Sequence, residues 1–272
     1  MPEISVISAA HNMEHLFSFR ASVESILKQT FFDIEFIVCD DGSTDNTYSV
    51  LREYAERDSR IRVIRNDTRS GLAFSLNKCV KYASAPLLAR HDLDDISHKE
   101  RLMHQYLYLR AHPEISLLGI AVTLFDRSGA YSYRYFPSKV VATDFLFNSP
   151  YMHGSVVMRR EAFLAVGGYR VARVTRRAED YDLFMRLALV SVGANLGERL
   201  YYYLEDDNTR RRRKYRYRVD EMLVRASGFR ALGLMPRALP YVVKPLAVGL
   251  IPSPILERMK RRYERKKYES RG

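Results

Sequence analysis

Carboxylates fall at three places in this 272-residue chain where their spacing suits chemistry. Asp92 and Asp94 are separated by one residue, so on an extended segment both side chains point to the same side. A divalent cation bridging two phosphates needs such hard oxygen ligands, yet keeps most of its shell for phosphate and water. Asp40, Asp41 and Asp45 lie in the run DDGSTD. Asp40, at a strand tip, is placed to accept a hydrogen bond from a nucleobase N–H. Asp41 through Asp45 also suit a turn and a helix start capped by Ser43 or Thr44. Glu179 and Asp180, in RAEDYD, offer a base for the proton that an attacking hydroxyl must lose; acidic residues complementing a helix N-terminus would look the same. His153, ahead of Gly154-Ser155, could be a third metal ligand or an acceptor contact, imidazole being a common Mn²⁺ ligand. A satisfied structural histidine is the simpler reading.

The elements that hold these residues follow from the apolar spacing. Ile4–Ala10, Ile34–Cys39, Ile61–Ile64 and Leu87–Ala89 predict short buried strands. Helical spacing follows each, through Leu16 to Leu27, Thr47–Glu56, Leu72–Tyr82 and Arg101–Ala111. Four strand–helix units in succession predict a parallel sheet with helices on both faces, and such sheets bind ligands beyond the carboxyl ends of their strands. His11, Asp40 and Asp92 to Asp95 each follow a predicted strand, and Gly71 opens the helix after the third. Carboxylates gathered at one sheet edge repel one another unless a cation lies among them. Beyond residue 112 the pattern predicts a hairpin of Ser116–Phe125 and Tyr131–Phe136 around Asp126–Gly129, and a strand at Ser155–Met158. A short helix Glu161–Val166 follows, then a helix Asp180–Val190 striped by Leu183, Phe184, Leu187 and Val190, and a last strand Leu200–Leu204.

Hydrophobic residues at 47% and charged residues at 28% fit a soluble globular chain rather than a disordered or many-span one. The net charge of +12 is unevenly placed: residues 1–209 hold 25 Lys and Arg against 27 Asp and Glu, whereas 210–272 hold 19 against 5. The basic part is therefore a C-terminal extension suited to a polyanionic surface. Arg210–Arg213, Lys214, Arg216 and Arg218 interleave with Tyr215 and Tyr217, Ala238–Ile251 is apolar but interrupted, and Ile255–Lys267 is basic with Ile255, Leu256, Met259 and Tyr263 along one face. That combination predicts an interfacial anchor on anionic lipid, with a solvated tail as the alternative. No nucleic-acid-binding fold surrounds it, so nucleic acid is not an expected partner. Cys39 and Cys79 form no CxxC pair, which leaves reduced cytosolic thiols and no zinc site. MPEISVISAAHN does not read as a secretory signal, and no apolar run reaches the roughly 18 residues of a spanning helix. The expected location is cytoplasmic, peripheral to the inner face of the plasma membrane.

Six segments, ISVISAAHN, IEFIVCDDGSTDNT, Gly71 to Asn77, HDLDDIS with ERL, HGSVVMRREAFLAVGGYR and EDYDLFMRLA, together resemble the family-2 glycosyltransferases in order and spacing over residues 3–205. The resemblance implies a GT-A fold, an α/β architecture with a Rossmann-like, mostly parallel sheet, here followed by a basic helical extension. It implies a transferase domain at 1–209, with a nucleotide-sugar half to about residue 111 and an acceptor half after it, and the extension at 210–272. It also implies inverting transfer from a nucleoside-diphosphate sugar, UDP favoured, with Mn²⁺ or Mg²⁺. The donor site would be lined by Ala9, His11, Asp40, Gly71, Asn77 and Asp92; Asp94 would hold the metal, with Asp92 in its shell; Asp180, with Glu179 beside it, would be the catalytic base; Gly167-Gly168-Tyr169 would shape the acceptor side.

Departures from the family pattern sharpen these expectations. His11 stands where a Tyr often packs on the base, and Leu76 where an Arg often precedes the Asn, so Arg69, Lys78 or Arg90 would have to reach the diphosphate. The chain has no Trp, and so no QxxRW motif of processive synthases; single transfer to a lipid-linked glycan acceptor in cell-surface polysaccharide assembly is the expectation. A sugar nucleotidyltransferase would open with a glycine-rich phosphate loop that ISVISAAHN lacks, and a non-catalytic membrane- or nucleic-acid-binding protein has no reason to keep Asp40, Asp94 and Asp180.

Overall fold

The computed structural model describes residues 1–205, 215–251, 255, 256 and 259. The first half alternates as its apolar spacing requires: β1 (Ile4–Ala10), α1 (Phe19–Leu27), β2 (Ile34–Asp40), α2 (Thr47–Arg57), β3 (Ile61–Arg65), α3 (Leu72–Tyr82), β4 (Leu87–Arg90), the short β5 (Ile96–Ser97) and α4 (Arg101–Ala111). Then come β6 (Ile115–Asp126), β7 (Gly129–Arg134), β8 (Lys139–Val140), β9 (Val157–Arg159), α5 (Arg160–Ala165), α6 (Glu179–Leu187), β10 (Val192–Leu204), α7 (Arg216–Ala231) and α8 (Leu239–Gly249).

These strands form one sheet in the order β3-β2-β1-β4-β9-β6-β10-β5, with β7 on β6 and β8 on β10. The first four are mutually parallel, β9 runs against both neighbours, and β6 and β10 are parallel to each other. This is the mixed, mostly parallel α/β sheet expected. Side chains alternate between two cores: Ile4, Val6, Phe36 and Val38 pack with Val23, Leu51 and Leu102, while Ile7, Ile37 and Cys39 pack with Leu76, Phe163 and Phe184. Both faces are thus covered, as parallel strands require.

Three differences from the sequence reading have physical causes. β10 begins at Val192, eight residues before the predicted start, because pairing with β6 carries the weak strand formers of GANLGE through register shifts around Leu196 and Arg199. The strand predicted at Ser155–Met158 starts two residues later, after a 3₁₀ turn at His153–Ser155. Val190 lies past the end of α6 and is exposed, so the buried stripe is Leu183, Phe184 and Leu187.

The interrupted apolar segment near 240 is a helix. Pro240 sits in its first turn, where no N–H is needed. Val224 and Phe229 of α7 and Val242 of α8 bury into the same core as Phe184 and Leu187. Truncating Phe229 to Ala would cost about 3–5 kcal/mol, as for a buried aromatic elsewhere. The basic run at 210–214 and most of the amphipathic segment expected at 255–267 lie outside the described residues; of the latter, Ile255 and Met259 are exposed and Leu256 is half-buried. Among the described residues no helix is long and apolar enough to cross a membrane.

Candidate functional site

The carboxyl ends of β1, β2 and β4 converge, with Ala10 in register with Asp40 and Ile7 with Arg90. Asp40 is fully buried. One carboxylate oxygen pairs with Arg65 Nε at 3.0 Å and accepts the Ser43 N–H at 3.2 Å, while the other, Oδ1, has no hydrogen-bond partner. An enclosed acceptor left open needs a donor, and a nucleobase N–H would supply one. Arg65 is itself steadied over the Tyr48 ring at 4.4 Å.

Asp41 has a structural task. Burial works to raise its pKa, but donors from the Ser70 N–H, Asn66 and the Gly71 N–H, at 2.7, 2.8 and 2.8 Å, outweigh it and hold the carboxyl below the usual range. Gly42 makes this turn at φ 65°, and a Cβ there would meet the backbone of Thr68 and Arg69 at 2.9 Å. His11 Nδ1 lies 3.0 Å from the Asp41 carbonyl, which fixes the ring beside the same loop, and Ala9 is half-buried at the end of β1. Gly71 starts α3 and gives its N–H to Asp41. Asn77, expected on the donor, is engaged elsewhere: its amide donates to the Tyr169 carbonyl at 2.7 Å and accepts the Tyr169 N–H at 3.0 Å.

Of the three cations proposed for the diphosphate, two are committed. Arg90 is fully buried and donates to the carbonyls of Ile7 and His91 and to the Asp92 carboxylate. Lys78 Nζ donates to the Arg65 carbonyl at 2.6 Å and to Asn66 Oδ1 at 3.0 Å. Arg69 is exposed at the loop before α3.

The loop after β4 carries half-buried Asp92 and Asp94 and fully buried Asp95. Asp92 is oriented by Arg90, and its Oδ2 faces Gly154, where a Cβ would come within 2.8 Å of it and 2.2 Å of the Tyr201 hydroxyl. Asp95 is pinned to β10: Tyr201 Oη donates to Oδ2 and the Leu204 N–H donates to Oδ1. Burial first, then the charges of Asp94 and Asp92, push the Asp95 carboxyl well above its usual range. Asp92 and Asp94 thus present hard oxygens at a loop tip where negative charge is crowded, which fits a hard divalent ion. Among the described residues no group of three His, Cys, Asp or Glu side chains converges, so such an ion would complete its shell with diphosphate and water.

His153 connects this loop to α6. Its Nε2 lies 2.7 Å from the Tyr169 hydroxyl and its ring packs edge-on against Phe184. Burial, with Arg90 adding to it, pushes its pKa down, whereas Asp180 and Asp92 pull the other way. The net shift is downward, and one ring nitrogen is already engaged by Tyr169. Asp180 lies in the first turn of α6, half-buried. Burial raises its pKa, His153 opposes that, and Glu179 adds to it. Glu179 differs in role: its Oε2 accepts the Arg177 N–H at 2.6 Å and so holds Arg177 at φ 78°. Asp182 is taken up by Arg170 at 2.9 Å and Arg186 at 2.8 Å. His153 therefore lies within electrostatic reach of both Asp92 and Asp180. Tyr201, Asp95 as an anchor, and the cradle at Gly154 were not found from sequence; the only signal was the third acid of HDLDD, Asp95.

The family described as glycosyl transferase family 2 matches residues 5–175. The chain belongs to that family. EpsE of Bacillus subtilis (strain 168), a protein named for glycosyl transfer, is 36% identical over 259 residues, 94% of this chain and 92% of its own. The Escherichia coli β-1,3-glucosyltransferase WfgD, named for UDP-Glc and α-D-GlcNAc-diphosphoundecaprenol, is 43% identical over 93 residues, 34% of this chain and 35% of its own. The S. aureus TarS structure in complex with UDP-GlcNAc superposes with a TM-score of 0.68 at 18% identity, covering 92% of this chain and 72% of that one. The family-2 transferase described here shares that GT-A fold.

Proposed function

We propose that this glycosyltransferase moves a sugar, with inversion, from a UDP-sugar to a hydroxyl of a lipid-linked glycan during cell-surface polysaccharide assembly, in a reaction that needs Mn²⁺ or Mg²⁺. What supports the reading is the packing of Gly154 against Asp92 Oδ2 and of the neighbouring His153 against the Tyr169 hydroxyl, with His153 within electrostatic reach of both Asp92 and Asp180. Asp40 Oδ1 would accept the base N–H, with Ala9 and His11 lining the entrance. Asp94, with Asp92 beside it, would hold the cation, whose Lewis acidity stabilises the departing diphosphate. Asp180 takes the proton of the acceptor hydroxyl; burial raises its pKa, against the opposing backbone N–H groups of Asp180 and Tyr181 in the first turn of α6, which makes it a stronger base once ionised. Glu179 positions the preceding loop rather than the proton.

The names of the relatives support donor and acceptor class: one uses UDP-Glc with a diphosphoundecaprenol-linked sugar, another is seen with UDP-GlcNAc. The C-terminal extension would hold the enzyme at the inner face of the plasma membrane. Leu239 and Val243 are exposed on α8 and Leu250 just past its end, and Gly249 lies against Tyr215 and Arg218, which brings the end of α8 to the start of α7. The reading is tested by offering UDP-sugars with and without Mn²⁺ to lipid-linked glycan acceptors and determining the anomeric configuration of the product. A metal-dependent, inverted product supports it. A retained configuration, or equal transfer in excess EDTA, overturns the corresponding part.

A further inference from the structure

The segment before the catalytic pair, RVARVTRRA at 170–178, carries four arginines and no acid. Arg170 is paired with Asp182. Arg173, Arg176 and Arg177 are exposed and make no ion pair among the described residues. Their loop is nevertheless well built. Thr175 is buried, and its hydroxyl donates to the carbonyls of Arg170 and Ala172 at 2.7 and 3.0 Å. The Ala178 N–H closes on the Thr175 carbonyl at 2.8 Å. Arg177 is held in the left-handed region by Glu179, a conformation that costs a non-glycine residue of order 1 kcal/mol or more and that gathers at functional sites. α7 packs against the Arg173–Thr175 turn, and the phenol of Tyr217, hydrogen-bonded by Arg216, also feels Arg177 and Arg176. The guanidinium groups are thus presented by a pinned loop three to seven residues before Asp180, in no ion pair among the described residues, although Arg177 feels the charge of Glu179.

Like charges fixed together want an anion, and the planar guanidinium fork matches phosphate oxygens in pairs. In the proposed function the donor diphosphate is held at the loop of Asp94, so these arginines are not needed for it. We propose that Arg173, Arg176 and Arg177 form a second anion site that binds a phosphate or diphosphate group carried by the acceptor. It would orient the acceptor so that its hydroxyl reaches Asp180. This deepens the proposed function and rests on its reading of Asp180 as the acceptor side.

The test is a binding measurement that needs no turnover, so it can fail while sugar transfer stands. Undecyl diphosphate below its micellar range is titrated into the full chain and into the Arg173→Gln/Arg176→Gln/Arg177→Asn variant, Asn being tolerant of the left-handed backbone. Each titration is run with and without saturating UDP, with undecyl maltoside as a neutral control and phosphatidylglycerol vesicles in a separate arm. The expected result is binding by the wild type that survives UDP, a loss of about tenfold or more in the variant, and UDP affinity the same in both proteins. Equal binding by the two proteins overturns the proposal. So does displacement by UDP, which would put the lipid in the donor pocket, or a loss confined to vesicles, which would make the patch a membrane contact. Should the triple variant not fold, Arg173→Gln and Arg176→Gln separately, both at exposed positions, are expected to weaken binding by about threefold each, and no change in either overturns the site.

Discussion

The Tyr201 hydroxyl donates a 2.8 Å hydrogen bond to the buried carboxylate of Asp95, which ties β10 to the loop that presents Asp92 and Asp94. The same oxygen accepts the Asp92 N–H at 3.2 Å, so one side chain fixes both ends of the acidic run. Tyr201→Phe keeps the ring over Arg101 but leaves a buried carboxylate oxygen and a main-chain donor short of partners. That costs about 1–3 kcal/mol, or a fall in Tm of about 2–4 °C for each kcal/mol at this chain length. With the loop loosened, the Mn²⁺ concentration for half-maximal activity should rise more than kcat falls. A metal titration and a thermal melt check this; unchanged values of both would show that β10 does not position the loop.

Asp94→Asn removes a charge from a loop tip and not from the core, so the fold should survive. UDP-sugar binding should lose its dependence on Mn²⁺, and chelator should make the wild type behave the same way. Calorimetric titration of UDP with and without the ion checks it. Metal-dependent binding that persists in the mutant would move the ligand role to Asp92.

Asp180 links rate and stability to pH. Its carboxyl is raised by burial, with Glu179 adding and His153 opposing, so the basic form is lost at a higher pH than for an ordinary aspartate and the acid limb of kcat/KM should shift upward accordingly. Asp180→Asn should erase that limb and lower turnover by about 100-fold or more while donor affinity holds. The linkage sign runs the opposite way for the fold: a carboxyl whose native pKa is raised destabilises once ionised, from the unfolded pKa upward. The mutant should therefore melt above the wild type at neutral pH, with the gap closing as pH falls from the raised folded pKa to the unfolded value. A mutant that loses donor affinity together with turnover would place Asp180 in the donor pocket.

The four parallel strands and the acids at their tips were legible because both depend on local patterns: unbroken apolar runs, then DDGS or HDLDD, then helical spacing. Contacts that link distant segments left no such trace. Tyr201 and Asp95 are 106 residues apart, and Asn77 and Tyr169 are 92 apart, so neither pairing shows in any window of sequence. Arg90 illustrates the limit from the other side, since its type suggested a phosphate ligand and only its complete burial, with Asp92 and two carbonyls as partners, shows it to be a strut. α8 was obscured by Pro240 and Pro245, residues that normally end helices, because the gain from burying Val242 and Pro245 against α7 is not visible locally.

The extension should bind membranes through two separable contributions. Clustered Lys and Arg near an anionic surface contribute up to about 1 kcal/mol each and are screened by salt, whereas the exposed stripe Leu239, Val243 and Leu250 contributes apolar burial that salt does not weaken. Replacing Arg258, Lys260, Arg261, Arg262, Arg265, Lys266 and Lys267 with Gln should lower pelleting with phosphatidylglycerol vesicles at low salt to the level the wild type keeps at high salt. Leu239→Ser with Val243→Ser should instead remove the part of wild-type binding that persists at high salt. Both substitutions are at exposed positions of α8, so the melt should change little. Equal sedimentation of wild type and charge variant at low salt would exclude electrostatic anchoring, and tight RNA binding without lipid binding would assign the extension to nucleic acid instead.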